Sequence, residues 1–199
     1  MGDNKFILGL DLDNVSSQYT TEFRRFVSRF TGRPESEFPE PTEWNFSDSG
    51  WGISNEDYLT YHARAVEQGM FRSMEPMPGV SKALWELSDA GVHIRIVTHR
   101  LIKNQQHQTV AADTCSWLDR ENIPYRDICF LGEKSDVNAD VFIDDAPHNI
   151  DALRTAGKSV LIFDHAYNRA CAGTRVKNWD EAKAAVLAAM EAKNRRNAA

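Results

Sequence analysis

The chain has 199 residues, 42% of them hydrophobic, and a formal net charge of -6 at pH 7. This length and composition are enough to bury a full core, and they favour one domain with room for a sizeable insertion. The negative charge argues against a nucleic-acid polymer as partner, but a metal or local donors can still balance a small phosphorylated ligand. Because there is neither a signal-like start nor an apolar run of spanning length, we expect a cytoplasmic protein without a membrane partner.

The first predicted strand ends in two carboxylates. Lys5 to Asp11 is an apolar run that predicts a buried strand, and Asp13 follows where the chain leaves the sheet. Open α/β sheets bind their ligands at the carboxyl ends of the strands. We therefore expect chemistry at Asp11 and Asp13.

The next stretch interrupts the strand pattern. Apolar residues at intervals of three and four predict a helix over about 16–30, and a capping serine predicts a second helix over about 54–68. The segment between them, 34–52, has the composition of an irregular surface segment with anchored aromatics. Those aromatics are Trp44, Phe46 and Trp51.

From residue 76 onwards, helices and strands alternate. The predicted helices are 80–90, 104–121, 147–157 and 180–193, and the predicted strands are 92–98, 127–131, 139–145 and 159–163. This alternation implies a parallel sheet with right-handed crossovers. The predicted fold class is therefore α/β, a Rossmann-like parallel sheet flanked by helices, and residues 194–199 are expected to form a frayed tail.

Polar side chains stand at the ends of four predicted strands. They are Asp11 and Asp13 after the first, Thr98 at the end of the second, Lys134 after the third, and Asp144 and Asp145 at the end of the fourth. Several carboxylates cannot lie close together as anions without a cation, so the cluster predicts a hard metal ion with oxygen ligands, namely Mg²⁺. A metal beside a lysine and a hydroxyl is a site for a phosphoryl group.

These residues resemble the four motifs of the haloacid dehalogenase superfamily, in its aspartate-dependent phosphatase branch. The match is ordered along nearly the whole chain, from Asp11-Leu-Asp13-Asn14-Val15 to Asp144-Asp145. The segment Glu75-Pro-Met-Pro-Gly-Val80 is similar to the one by which 5'(3')-deoxyribonucleotidases return from cap to core. The resemblance implies a core domain of residues 1–15 and 76–199, with a small helical cap inserted at 16–75.

The resemblance also implies a role for each motif residue. Asp11 would be the nucleophile that forms an aspartyl phosphate, and Asp13 would protonate the leaving oxygen and later deprotonate water. Mg²⁺ would be held by Asp11, the backbone carbonyl of Asp13 and Asp145, with Asp144 in support. The phosphoryl oxygens would be held by two side chains, Lys134 and Thr98.

A small-molecule nucleotide is the substrate that the resemblance implies, with its base stacked among cap aromatics. The candidates are Tyr19, Trp44, Phe46, Trp51 and Phe71. Tyr19 and Phe71 can equally belong to the core of the cap. Trp51 lies between two glycines and is interpreted as a mobile lid residue.

Three residues beside the motifs carry less information. Asn14 stands where many relatives have glycine, and we expect it to adopt the left-handed turn that asparagine tolerates. His99 and Arg100 follow Thr98, where they could either reach the phosphate or form a solvated loop pair. They are therefore left outside the predicted site.

The sequence predicts a Mg²⁺-dependent phosphomonoesterase that hydrolyses nucleoside 5'-monophosphates, most like a 5'-nucleotidase of the deoxyribonucleotidase type. One alternative is a phosphatase of the same superfamily that acts on a sugar phosphate or a nucleic-acid end. Another is a non-catalytic ligand-binding module, against which the intact Asp13 and Lys134 count. The sequence leaves the oligomeric state open, a homodimer included.

Overall fold

Six strands form one parallel sheet in the computed structural model, which describes residues 5–101 and 106–198. The strands are β1 (Phe6–Leu10), β2 (Val92–Thr98), β3 (Asp127–Phe130), β4 (Val141–Asp144), β5 (Val160–Phe163) and β6 (Thr174–Val176). Their order across the sheet is β3-β2-β1-β4-β5-β6, and every neighbouring pair is parallel. The strand order reverses at β1, and ligands bind at such a reversal in open α/β sheets.

Seven helices accompany the sheet in the described ranges. They are α1 (Tyr19–Thr31), α2 (Asn55–Glu67), α3 (Met70–Ser73), α4 (Val80–Asp89), α5 (His107–Arg120), α6 (Pro147–Thr155) and α7 (Trp179–Ala198). The predicted α/β class, with a helical insertion after the first strand, is confirmed. Over 5–101 and 106–198, none of the helices combines the length and apolar character needed to cross a bilayer.

The C-terminal boundary and one strand differ from the predictions. The prediction of a frayed tail over 194–199 is wrong, because α7 continues to Ala198. No glycine or proline interrupts the helix there, and two arginines in its last turn interact favourably with the negative end of the helix dipole. Strand β6 was not predicted, since three residues are too few to show an alternating pattern. The predicted start of the third core helix, Asn104, lies outside the described residues.

Gly9 in β1 has no side chain, and this lets the ring of Phe142 on the neighbouring strand β4 lie against the β1 backbone. A Cβ at position 9 would stand 2.6 Å from Cδ1 of that ring, closer than real contacts allow. We expect Gly9→Ala to lower the free energy of unfolding by about 1–3 kcal/mol in urea denaturation, because a buried ring has little room to move. In a Phe142→Leu background, Gly9→Ala should lower the free energy of unfolding by less. An equal decrease in both backgrounds would show that contact with the Phe142 ring is not the cause.

The inserted helices share an aromatic core around Phe23. Its ring centroid lies 5.2 Å from that of Phe46, 5.5 Å from that of Tyr58 and 5.8 Å from that of Tyr19. Such spacings are those of tilted, edge-on or offset aromatic pairs, which add to the energy of simple burial. The insertion thus has packed rings of its own beside the sheet.

Trp51 belongs to this aromatic core. Its side chain is fully buried, and its indole N–H donates to the carbonyl of Pro39 at 2.8 Å. Gly50 and Gly52 take φ values of 77° and 63°, a left-handed backbone that turns the chain on both sides of the indole. The interpretation of Trp51 as a mobile lid residue is therefore wrong, because its flanking glycines serve a turn that buries it.

The predicted start of α2 is confirmed. Ser54 Oγ accepts a hydrogen bond from the backbone N–H of Asp57 at 3.1 Å, and the Asp57 carboxylate accepts one from the backbone N–H of Ser54 at 2.9 Å. This reciprocal pair is a capping box, which satisfies two backbone donors that the first helical turn leaves open.

The chain enters and leaves the insertion at neighbouring points. The backbone N–H of Gln18 donates to the carbonyl of Glu75 at 2.9 Å, and that of Met77 donates to the carbonyl of Ser16 at 2.8 Å. Two adjacent crossings held by main-chain hydrogen bonds agree with an insertion bounded near residues 16 and 75. The division into core and cap domains stays a prediction.

Candidate active site

Strand ends bring five predicted residues to one edge of the sheet. Asp11 and Lys134 follow β1 and β3, Thr98 and Asp144 end β2 and β4, and Asp145 comes next. All five are buried. They converge because the carboxyl ends of parallel strands share one edge.

Three of the carboxylates lie close together. Asp11, Asp144 and Asp145 each offer an oxygen, and these three atoms are within 4.8 Å of one another. Lys134 Nζ lies 2.7 Å from Asp11 Oδ1 and 2.7 Å from Asp144 Oδ2. Three carboxylates and one ammonium carry a formal net charge of -2, which one divalent cation would balance. The donor set therefore fits Mg²⁺, which prefers carboxylate oxygens.

Burial makes these carboxylates costly as anions. It raises the pKa of Asp11 to about 7, a shift that Lys134 opposes and Asp144 reinforces. Burial also raises the pKa of Asp145 well above its usual value, with the charges of Asp11 and Asp144 adding to the effect. Burial alone would lower the pKa of Lys134, but the charges of Asp11 and Asp144 raise it overall. Lys134 therefore stays a cation. A bound cation would relieve the remaining repulsion.

Asp144 and Asp145 have different surroundings. Beyond Lys134, Asp144 accepts hydrogen bonds from the backbone N–H of Ala146 at 3.0 Å and from Asn149 Nδ2 at 3.2 Å. Asp145 Oδ2 accepts a hydrogen bond from the Tyr167 hydroxyl. Both oxygens of Asp144 are thus held by protein donors, whereas the Asp145 side chain is held through one oxygen.

Asp13 is paired with Arg100, which the sequence interpretation had left outside the site. Arg100 Nη2 lies 2.6 Å from Asp13 Oδ1, and its side chain is only 1% exposed. The guanidinium also donates to Thr114 Oγ1 at 3.1 Å and lies 4.4 Å from the Phe71 ring centroid. The solvated interpretation of Arg100 is wrong. Its place two residues after Thr98, at the same sheet edge, was the signal.

Asn14 adopts the left-handed conformation that was expected of it, with φ of 58°. Its Oδ1 accepts the backbone N–H of Thr20 at 2.9 Å, just inside α1. Its Nδ2 donates to the Tyr167 hydroxyl at 3.1 Å. Asparagine thus keeps the turn of a glycine and adds two contacts that glycine lacks.

A cavity of about 240 Å³ opens between the sheet edge and the insertion. From the core it is lined by Asp11, Asp13, Asn14, Thr98, His99, Arg100, Lys134, Asp145, Ala146, His148, Asn149 and Tyr167. From the insertion it is lined by Tyr19, Thr20, Pro41, Trp44, Asn45, Phe46, Asn55, Tyr58, His62 and Phe71.

Four of the five predicted stacking residues line this cavity, Tyr19, Trp44, Phe46 and Phe71. Trp51 does not. It lies behind Phe46, with the two ring centroids 4.5 Å apart. Tyr58 and His62 also line the cavity and were not predicted, although their spacing of four residues places both on one face of α2.

Comparison with known proteins agrees with this geometry. The sequence profile of the family described as "5' nucleotidase, deoxy (Pyrimidine), cytosolic type C protein" matches residues 5–193. A relative from Chlorobaculum tepidum, named "Putative 5'(3')-deoxyribonucleotidase", is 40% identical over 183 residues, which cover 91% of this chain and 90% of the relative.

Solved structures share the fold at lower identity. A haloacid dehalogenase-like family protein from Streptococcus pneumoniae superposes with a TM-score of 0.62 at 13% identity, covering 91% of this chain and 98% of the other. A haloacid dehalogenase-like protein from Agrobacterium tumefaciens gives 0.59 at 17% identity, covering 94% and 100%. The chain therefore belongs to the deoxy (pyrimidine) cytosolic type C 5'-nucleotidase family, phosphoric monoester hydrolases on the haloacid dehalogenase fold.

Proposed function

We propose that the protein hydrolyses (deoxy)nucleoside 5'-monophosphates with Mg²⁺, through an aspartyl phosphate on Asp11. The observation that carries this proposal is the convergence of Asp11, Asp144 and Asp145 with Lys134 beneath an aromatic-lined cavity. The carboxylates suit a metal and a phosphoryl group, and the rings suit a base. The cavity therefore provides for both ends of a nucleotide.

In this proposal Mg²⁺ would be held by Asp11, Asp145 and the backbone carbonyl of Asp13. Asp144 supports this site without binding the ion directly, because its oxygens already accept hydrogen bonds from Lys134 and Asn149. When bound, the ion would neutralise charge on the phosphoryl oxygens and hold the phosphoryl group toward the nucleophile.

The chemistry divides into two displacements. In the first, an Asp11 oxygen attacks phosphorus while the bond to the 5'-oxygen breaks, and Asp13 gives that oxygen a proton. In the second, Asp13 takes a proton from water, which attacks phosphorus and releases orthophosphate from Asp11. Lys134 and Thr98 hold the phosphoryl oxygens as charge moves across them. Arg100 holds the Asp13 carboxylate between the two steps.

Base recognition is assigned to the aromatic wall of the cavity. Stacking on rings such as Tyr19, Phe46 and Phe71 contributes about 1–3 kcal/mol per base. Trp44 is 42% exposed and reaches the opposite wall, where its ring centroid lies 5.5 Å from that of Tyr167. Trp51 supports Phe46 from behind and has no direct role in stacking. A sugar phosphate has no base and would lack this stacking interaction.

The test is phosphate release from a panel of nucleoside 5'-monophosphates and sugar phosphates, each with MgCl₂ or with EDTA. We expect kcat/KM for the best nucleotide to exceed that for sugar phosphates at least about tenfold, the size of one stacking interaction. Activity should vanish in EDTA. Asp11→Asn protein prepared in parallel serves as the blank for contaminating phosphatases. Equal rates on sugar phosphates would contradict the nucleotidase proposal, and full activity in EDTA would contradict the proposed dependence on Mg²⁺.

A further inference from the structure

Tyr167 joins the loop after β5 to the proposed metal site. Its hydroxyl donates to Asp145 Oδ2 and accepts a hydrogen bond from Asn14 Nδ2 at 3.1 Å. A second residue of this loop binds the backbone of Asp145, since Asn168 Nδ2 donates to the Asp145 carbonyl oxygen at 2.8 Å. Both the main chain and the side chain of Asp145 are thus anchored by this loop.

The polarity of these hydrogen bonds is fixed by donor and acceptor types. Asn14 Oδ1 accepts the backbone N–H of Thr20 at 2.9 Å, so its amide nitrogen must face Tyr167. An amide nitrogen can only donate, so the Tyr167 oxygen accepts from Asn14. The single phenolic proton is therefore directed to the Asp145 carboxylate, which can accept it.

The Tyr167 ring is held from two sides. It stacks on His165 with the centroids 5.0 Å apart and the planes 6° apart, and His165 Nε2 lies 2.8 Å from the carbonyl oxygen of Asn14. On another side it meets the edge of Trp44 at 5.5 Å. A ring held in this way has little freedom to change the direction of its hydroxyl.

We propose that Tyr167, oriented by Asn14, is a positioning residue that fixes the Asp145 carboxylate for Mg²⁺. The inference rests on the proposed metal site. With Oδ2 accepting from the phenol, rotation of the carboxylate is restrained and Oδ1 is left for the ion. Partners that orient a metal ligand in this way have large effects on metal affinity. A glycine at position 14 could not direct the phenolic proton.

The test is isothermal titration calorimetry with MgCl₂, without substrate, on wild type, Tyr167→Phe, Asn14→Gly and the double variant. We expect Tyr167→Phe to raise the Kd for Mg²⁺ about tenfold. Asn14→Gly should raise it less, and the double variant should match Tyr167→Phe alone, because both changes break the same chain of hydrogen bonds. Tyr61→Phe, in the insertion and away from the cavity, is the matched control and should leave Kd unchanged.

Melting in EDTA separates positioning from folding. Wild type and Tyr167→Phe should melt at the same temperature there, so that a weaker Kd of Tyr167→Phe reports the metal site. Asn14→Gly and the double variant should melt at a lower temperature, because they also remove the acceptor of the Thr20 backbone N–H. A wild-type protein that binds Mg²⁺ while Tyr167→Phe binds it equally well overturns the inference and leaves the proposed function intact. Additive effects of the two substitutions overturn the role of Asn14. A wild-type protein that binds no Mg²⁺ overturns the proposed cofactor and the inference with it.

Discussion

Lys134→Met is expected to cost both stability and activity. Lys134 Nζ lies 2.7 Å from Asp11 and 2.7 Å from Asp144, and the lysine is only 4% exposed. Removing one partner of a buried ion pair leaves an uncompensated charge, so we expect the free energy of unfolding in EDTA to fall by about 3–5 kcal/mol. Loss of a donor to the phosphoryl oxygens should lower kcat by about 10²–10³-fold.

Urea denaturation and phosphate release measure these two effects. Excess MgCl₂ should restore part of the stability of Lys134→Met, because a bound cation replaces some of the lost charge, but it should not restore kcat. Lys183→Met is the matched control, since Lys183 pairs with Glu86 at 2.5 Å on the surface and is expected to matter little. A variant of Lys134 with an unchanged urea midpoint would mean that the buried carboxylates do not depend on this cation.

Much of the fold and the core of the site followed from local patterns. Buried strands and the residues that end them are local features, and the carboxyl ends of parallel strands lie at one edge of the sheet whatever the strand order. Asp11, Thr98, Lys134 and Asp145 could therefore be selected before any contact was known. Their grouping at one edge in the structure follows the same rule. Their catalytic and metal-binding roles stay predictions that the variants test.

The remaining contacts depend on which loops meet across the sheet. Arg100 finds its carboxylate partner 87 residues earlier in the chain, so its position after β2 places it at the right edge of the sheet but does not identify that partner. Tyr167 meets Asp145 because β5 lies beside β4, a neighbour relation that the sequence does not state. For Trp51 the prediction erred in the other direction and gave a buried residue a role at the site. Its two flanking glycines suggested mobility in the sequence, but in the structure they form a turn that buries the indole.

Asp11→Asn is expected to abolish turnover without loss of stability. An amide is no nucleophile toward phosphorus, so kcat should fall by at least about 10⁴-fold, the loss found when a covalent nucleophile is removed. Burial raises the pKa of Asp11 to about 7, above the value of 3.8 for an unperturbed aspartate. The ionised form is therefore disfavoured in the folded state at neutral pH, and a neutral amide of the same shape should not lower the melting temperature.

Trapping the intermediate tests the nucleophile directly. Borohydride reduces an acyl phosphate to an alcohol, so wild-type enzyme quenched during turnover should yield homoserine at position 11 in peptide mass spectra. Asp11→Asn should yield none, and Asp89→Asn, an exposed aspartate at the end of α4, should behave as wild type. Homoserine at another aspartate, or appreciable turnover by Asp11→Asn, would mean that the phosphoryl group passes through a different residue. Reduction at position 11 alone would assign the covalent step to the carboxylate that follows the central strand of the sheet.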